Sequence, residues 1–110
     1  MPVRELSQLN LAPRHLTALR QLLMAHVPQA EVWAYGSRVN GEAHEGSDLD
    51  IVLRNPIDLQ AAVSGAAELK EAIQASHLPM LVEVHLWANF PPAFHRNIEA
   101  CYVVLQTGKS

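Results

Sequence analysis

Residues 49–53, Leu-Asp-Ile-Val-Leu, limit what this chain can fold into more than any other stretch. A run so short, apolar and β-branched reads as a strand. Side chains alternate along a strand, so Leu49, Ile51 and Leu53 share one face and Asp50 takes the other. A wholly apolar face must be covered, which predicts a central strand backed by helices. Asp48, two residues before Asp50, falls on the same face and follows Ser47. Two carboxylates held side by side repel unless a cation lies between them. Upstream, Glu31-Val32-Trp33-Ala34-Tyr35 reads as another strand, stopped by Gly36. Three of the chain's five glycines, Gly36, Gly41 and Gly46, fall within residues 36–47. Such density marks a backbone that turns sharply or approaches something closely.

Around this pair the other elements follow from periodicity. Asn10 precedes Leu11, Ala12 and Pro13, and Leu16, Leu19, Leu23 and Val27 make one apolar stripe, so a helix is expected to end near Pro28. Beyond Asn55-Pro56, a second stripe runs through Leu59, Ala62, Ala66, Leu69 and Ile73, with Asp58 as the expected N-cap. Gly65 then falls inside that helix, at a cost of roughly 1 kcal/mol relative to Ala; a close helix–sheet contact would account for it. Met80 to Trp87 reads as a third strand, with Val82, Val84 and Leu86 on one face and Glu83 and His85 on the other. Phe90, Phe94 and Ile98 predict a short third helix with Pro91 and Pro92 in its first turn, and Tyr102 to Leu105 a last strand. The expectation is a two-layer α/β sandwich: one domain over residues 1–110, with three helices on one face of a short mixed sheet.

Composition narrows the function classes. A chain of 110 residues with 49% apolar and 17% charged residues suits one compact domain. Its formal charge of −3 gives no broad basic field for nucleic acid or acidic lipid. Local positive charge would still serve a small anion carried with Mg²⁺. Cys101, the only cysteine, excludes an internal disulfide and reads as a buried hydrophobe. With no signal-peptide pattern and no run long enough to span a membrane, a cytoplasmic location is expected.

The chemistry is readable from two ends. Gly36 lacks a Cβ, so phosphate oxygens can reach the backbone amides of the turn, and Ser37 adds a hydroxyl donor. Arg38 offers either a charge for those phosphates or a structural tether. Asp48 and Asp50 supply the carboxylate pair that Mg²⁺ takes together with substrate phosphates. Glu83 is the natural third carboxylate, a ligand for a second ion and an acceptor of the attacking hydroxyl's proton. Taken singly, Asp48 could shape the start of its strand, Asp50 pair with Arg38 or Arg54, and Glu83 face water. All three acids and the glycine turn, in this order, favour a magnesium-nucleotide site. His85, beside Glu83, stays open between a structural and a site role. His44 reads as a loop-surface residue, and His15, His26, His77 and His95 as structural, none at zinc-ligand spacing.

Gly36-Ser37-Arg38, Gly41 and Ser47-Asp48-Leu49-Asp50 together resemble the signature of the polymerase-β-type nucleotidyltransferase superfamily. The version here is similar to its smallest members, the minimal nucleotidyltransferase (MNT) proteins, and the likeness covers nearly the whole chain. The resemblance implies a short mixed sheet backed by helices, with metal-binding acids on adjacent strands, that uses Mg-ATP to transfer a nucleotidyl group to a hydroxyl. It implies that Gly36 and Ser37, with Arg38 and Ser47, hold the nucleotide, and that Asp48, Asp50 and Glu83 bind two Mg²⁺ ions. Two positions depart from the pattern: Asn40 stands where an arginine is common, and Glu83 where Asp is usual. The extra methylene moves that carboxylate by roughly 1.5 Å, on the scale at which misplacement costs ~10²-fold in rate.

Many such proteins act as antitoxins that add AMP to a tyrosine of a HEPN-type ribonuclease toxin. The resemblance therefore implies ATP as substrate and a hetero-oligomer with that toxin. A chain this short leaves little room for a separate acceptor-binding domain, so a partner is expected to present the hydroxyl. Phe90, Pro91, Pro92, Phe94 and Trp87 are candidates for the docking surface, with burial the better account of Phe90 and Phe94. Asn40 and Glu83 motivate an alternative, a binding module that silences its partner without catalysis. A third reading is a nucleotidyltransferase for a small molecule such as an aminoglycoside.

Overall fold

The computed structural model describes residues 3–41 and 47–108, so the expectations placed on His44 and Gly46 lie outside the described residues. Helix α1 spans Pro13–His26, its proline in the first turn, where no intrahelical N–H is lost. Leu19 and Leu23 are fully buried along its stripe, and the helix closes with the Val27 N–H donating to the Leu23 carbonyl. Strand β1 covers Val3–Arg4, β2 Glu31–Tyr35, β3 Leu49–Arg54, β4 Val82–Leu86 and β5 Tyr102–Gln106. Their order across the sheet is β1-β5-β2-β3-β4, with β3 antiparallel to β2 and parallel to β4. The mixed sheet backed by helices is as expected, and β3 is an interior strand.

The two faces of β3 meet different surroundings, as alternation requires. Leu49, Ile51 and Leu53 join Val32, Ala34, Val84, Val103 and Leu105 in one core cluster with Leu19 and Leu23 of α1 and Leu69 and Ile73 of α3, helix Ala66–Gln74. On the other face Trp33, Val52 and Trp87 form a second cluster with Ile98 of α4, helix Pro92–Glu99. The expectation of three helices on one face is corrected here. Helices α1 and α3 back the sheet together, and α4 covers part of the opposite face. A stripe such as Phe90, Phe94 and Ile98 says that a helix packs, not on which side.

Helix α3 also differs from expectation. It spans Ala66–Gln74, and Gly65 is its N-cap in the left-handed conformation, with φ 92°. A Cβ at Gly65 would lie 2.2 Å from the His26 carbonyl oxygen, so the close contact is with the end of α1 and not with the sheet. Asp58 caps a turn instead, its Oδ1 accepting the Gln60 N–H at 3.0 Å. The third strand stops at Leu86, and Trp87–Asn89 form a single 3₁₀ turn. Strand β1 was not anticipated, since two residues carry no period.

Candidate active site

Register assembles the site. Tyr35 of β2 lies opposite Asp50 of β3, and Asp50 lies beside Glu83 of β4. Paired residues on neighbouring strands point to the same face, so these three make one row across the sheet. Asp48, two residues before Asp50, continues that face at the end of the strand and is exposed, while Asp50 and Glu83 are half-buried. His85, opposite Val52, stands one step further in. The structure thus brings together the acids singled out in the sequence.

The glycine turn is built against this row. Gly36 has φ 87° and ψ −157°, a region essentially reserved for glycine. A Cβ there would lie 2.7 Å from Asp50 Oδ2, so only a glycine lets the turn sit against that carboxylate. Helix α2, Ser37–Asn40, follows at once, with the Val39 and Asn40 amides both donating to the Gly36 carbonyl at 3.0 Å. The first amides of such a turn have no intrahelical acceptor and face outward from its start.

Arg38 makes the contacts of a tether. Its Nε donates to the Ser47 carbonyl at 3.0 Å and an Nη to the Asn10 carbonyl at 2.8 Å. Ser47 itself is buried, 8% exposed, so its assignment to the nucleotide rests on the sequence pattern and not on an open hydroxyl. Arg54 pairs with Glu31, and its guanidinium lies 3.9 Å over the Trp33 ring. Both arginines are therefore engaged elsewhere, and the account of Asp50 as the partner of either falls away.

The electrostatics of the row ask for a cation. Burial lifts the Asp50 carboxyl above its ordinary value; nearby His85 opposes this, and Asp48 and Glu83 add to it. Among the described residues no three His, Cys, Asp or Glu side chains enclose an ion by themselves. Two carboxylates completed by phosphate oxygens are the ordinary magnesium arrangement, so this donor set fits a Mg-nucleotide and not a resident metal cage. Tyr35 was missed in the sequence. Burial first, then Asp50 and Glu83, raise its hydroxyl well above the usual range, so it stays a protonated donor beside the acids. No sequence signal marks it beyond its place before Gly36.

Comparison with known proteins decides the family. Residues 13–105 match the Nucleotidyltransferase domain family. The chain belongs to that family. This nucleotidyltransferase is 38% identical over 102 residues to a Haemophilus influenzae protein named "Probable protein adenylyltransferase MntA", an alignment covering 91% of this chain and 86% of that one. The similarity to minimal nucleotidyltransferases expected from the motifs is borne out. In fold, the nucleotidyltransferase is similar to a chain in a crystal structure of a "toxin-antitoxin with AMP-PNP", with a TM-score of 0.67 over 86% of this chain and 74% of that one. At 18% identity that likeness shows the fold.

Proposed function

We propose that this nucleotidyltransferase is a cytoplasmic antitoxin that transfers AMP from Mg-ATP to a tyrosine hydroxyl of a HEPN-type ribonuclease toxin, within a hetero-oligomer. The observation that carries the reading is the row Tyr35–Asp50–Glu83 with Gly36 against Asp50 Oδ2, in a chain similar to a protein named as an adenylyltransferase. In this reading Gly36 and Ser37 take the triphosphate oxygens, and Asp48, Asp50 and Glu83 hold two Mg²⁺ ions. Bound magnesium supplies neutralisation of phosphate charge and polarisation of the phosphoryl oxygens. The acceptor oxygen forms a bond to the α-phosphorus, and the bond from that phosphorus to the bridging oxygen of pyrophosphate breaks. The hydroxyl proton passes to Glu83, and pyrophosphate leaves.

Intact-mass measurement of the co-expressed toxin partner tests this. With Mg-ATP and the native chain, the partner gains the mass of AMP; with Asp48→Ala or Asp50→Ala it does not. Toxin neutralisation that persists in the double variant, with no adduct, would replace transfer by complex formation alone. Adenylation of an aminoglycoside by the purified chain, with none of the partner, would move the acceptor to a small molecule.

A further inference from the structure

Beside the acids lies a patch of rings that the transfer reading leaves unused. The His85 ring is 5.3 Å from Phe90, Phe90 is 4.4 Å from Phe94, and Phe94 meets Tyr35 edge-on at 6.1 Å. Tyr35 returns to the acids through its register with Asp50, and His85 through its place two residues after Glu83 on the same face. The same links appear electrostatically, since Asp50 and Glu83 act on Tyr35 and His85 acts on Asp50. Rings and acids thus close a circuit. The rings are not spent on the core. Tyr35, Phe90 and Phe94 are partly buried against the cluster of Trp33, Val52, Trp87 and Ile98, which is itself closed, and their outer surfaces stay open.

Position in the row says which substrate these rings meet. The phosphate turn leaves the sheet at the end of β2, directly after Tyr35. Tyr35 stands in the acid row itself, and His85, paired with Val52, lies one step further along the strands from that turn, with Phe90 and Phe94 of α4 beside it. In-line displacement puts the attacking oxygen opposite the leaving pyrophosphate. With pyrophosphate on the Gly36 side, the acceptor arrives from the side of His85, Phe90 and Phe94, with the acid row between. We propose that Tyr35, His85, Phe90 and Phe94 form the acceptor wall of the site, on which the partner's phenol ring packs before its hydroxyl is adenylylated. This rests on the protein-transfer reading and deepens it. An aromatic wall favours a phenol over the short hydroxyls of Ser and Thr, because edge and face contacts between rings add to burial.

Steady-state transfer, with ATP and the partner protein varied separately, tests the wall using Phe90→Ala and His85→Ala, with Phe90→Leu as a variant that keeps apolar bulk if alanine weakens folding. The expected result is a rise of about three- to tenfold in the KM for the partner, with the KM for ATP unchanged and the leucine variant intermediate. A rise in the KM for ATP instead would overturn the proposal, since the rings would then hold the nucleobase. No change in either KM would overturn it as well. Native chain that transfers nothing to the partner would remove the underlying reading, an outcome separable because it needs no variant.

Discussion

Asp50 carries the sharpest conflict between folding and function. Its carboxyl lies against the Gly36 turn; burial lifts its pKa, nearby His85 opposes this, and Asp48 and Glu83 add to the rise. A carboxyl whose pKa is raised on folding binds its proton more tightly in the native state. The stability it contributes is full below the unfolded value and is lost as pH rises through the folded one. Charge on Asp50 therefore weakens the fold, and under the proposed function that cost is kept for the cation it would bind, the usual trade at an active site. Asp50→Asn removes the charge and keeps the shape. In the absence of Mg²⁺ the variant is expected to melt above the native chain at pH 7, with the gain shrinking toward about pH 4, where free Asp itself takes up a proton, and with transfer lost at both. Thermal unfolding at the two pH values checks the sign, and a variant less stable than the native chain at pH 7 would contradict the account.

Among elements, those with a period were legible and those set by contacts were not. The alternation in residues 49–53 placed β3, the β-formers of residues 31–35 stopped by Gly36 placed β2, and the spacing of Leu16, Leu19 and Leu23 placed α1. The acids were legible because strand alternation alone puts Asp48 and Asp50 on one face, and the polar face of Val82-Glu83-Val84 marks the third. Tyr35 was not, since its nearness to Asp50 and Glu83 comes from register between strands far apart in sequence. The start of α3 was misplaced because Leu59 and Ala62 extend a helical spacing across a segment that Asn55 and Asp58 fold into turns through their side chains. Gly65 was the missing signal. It marks a helix start that must lie against another backbone in a left-handed conformation. Gly65→Ala is accordingly expected to cost more than the ~1 kcal/mol of an ordinary Gly-to-Ala mismatch, because the new Cβ meets the His26 carbonyl. Urea unfolding reads that loss. The site lies elsewhere on β2, β3 and β4, so the folded fraction should keep its transfer rate.

At the scale of the whole molecule, one side chain joins the parts that make the site. Arg38 sits in α2, the helical turn after Gly36, and bonds the carbonyl of Ser47 at the approach to the acidic strand. It also bonds the carbonyl of Asn10, and its own carbonyl accepts the Asn10 amide at 2.8 Å. The N-terminal segment, the turn and the start of β3 are thus fixed to one guanidinium. Its planar fork can serve two carbonyls in different directions at once, whereas a lysine ammonium is a point donor on a flexible stem. The tether and the phosphate-charge roles consequently predict different behaviour in a lysine variant. If Arg38 acts as the tether, Arg38→Ala and Arg38→Lys both lose about 1.5–3 kcal/mol of stability, the range for hydrogen bonds with a charged partner, and both raise the KM for ATP as Gly36 and Ser37 shift away from Asp50. If it acts as a phosphate charge, lysine restores the KM for ATP while alanine does not. Denaturation and ATP titration of the two variants decide between them, and the two bonds to backbone carbonyls favour the tether.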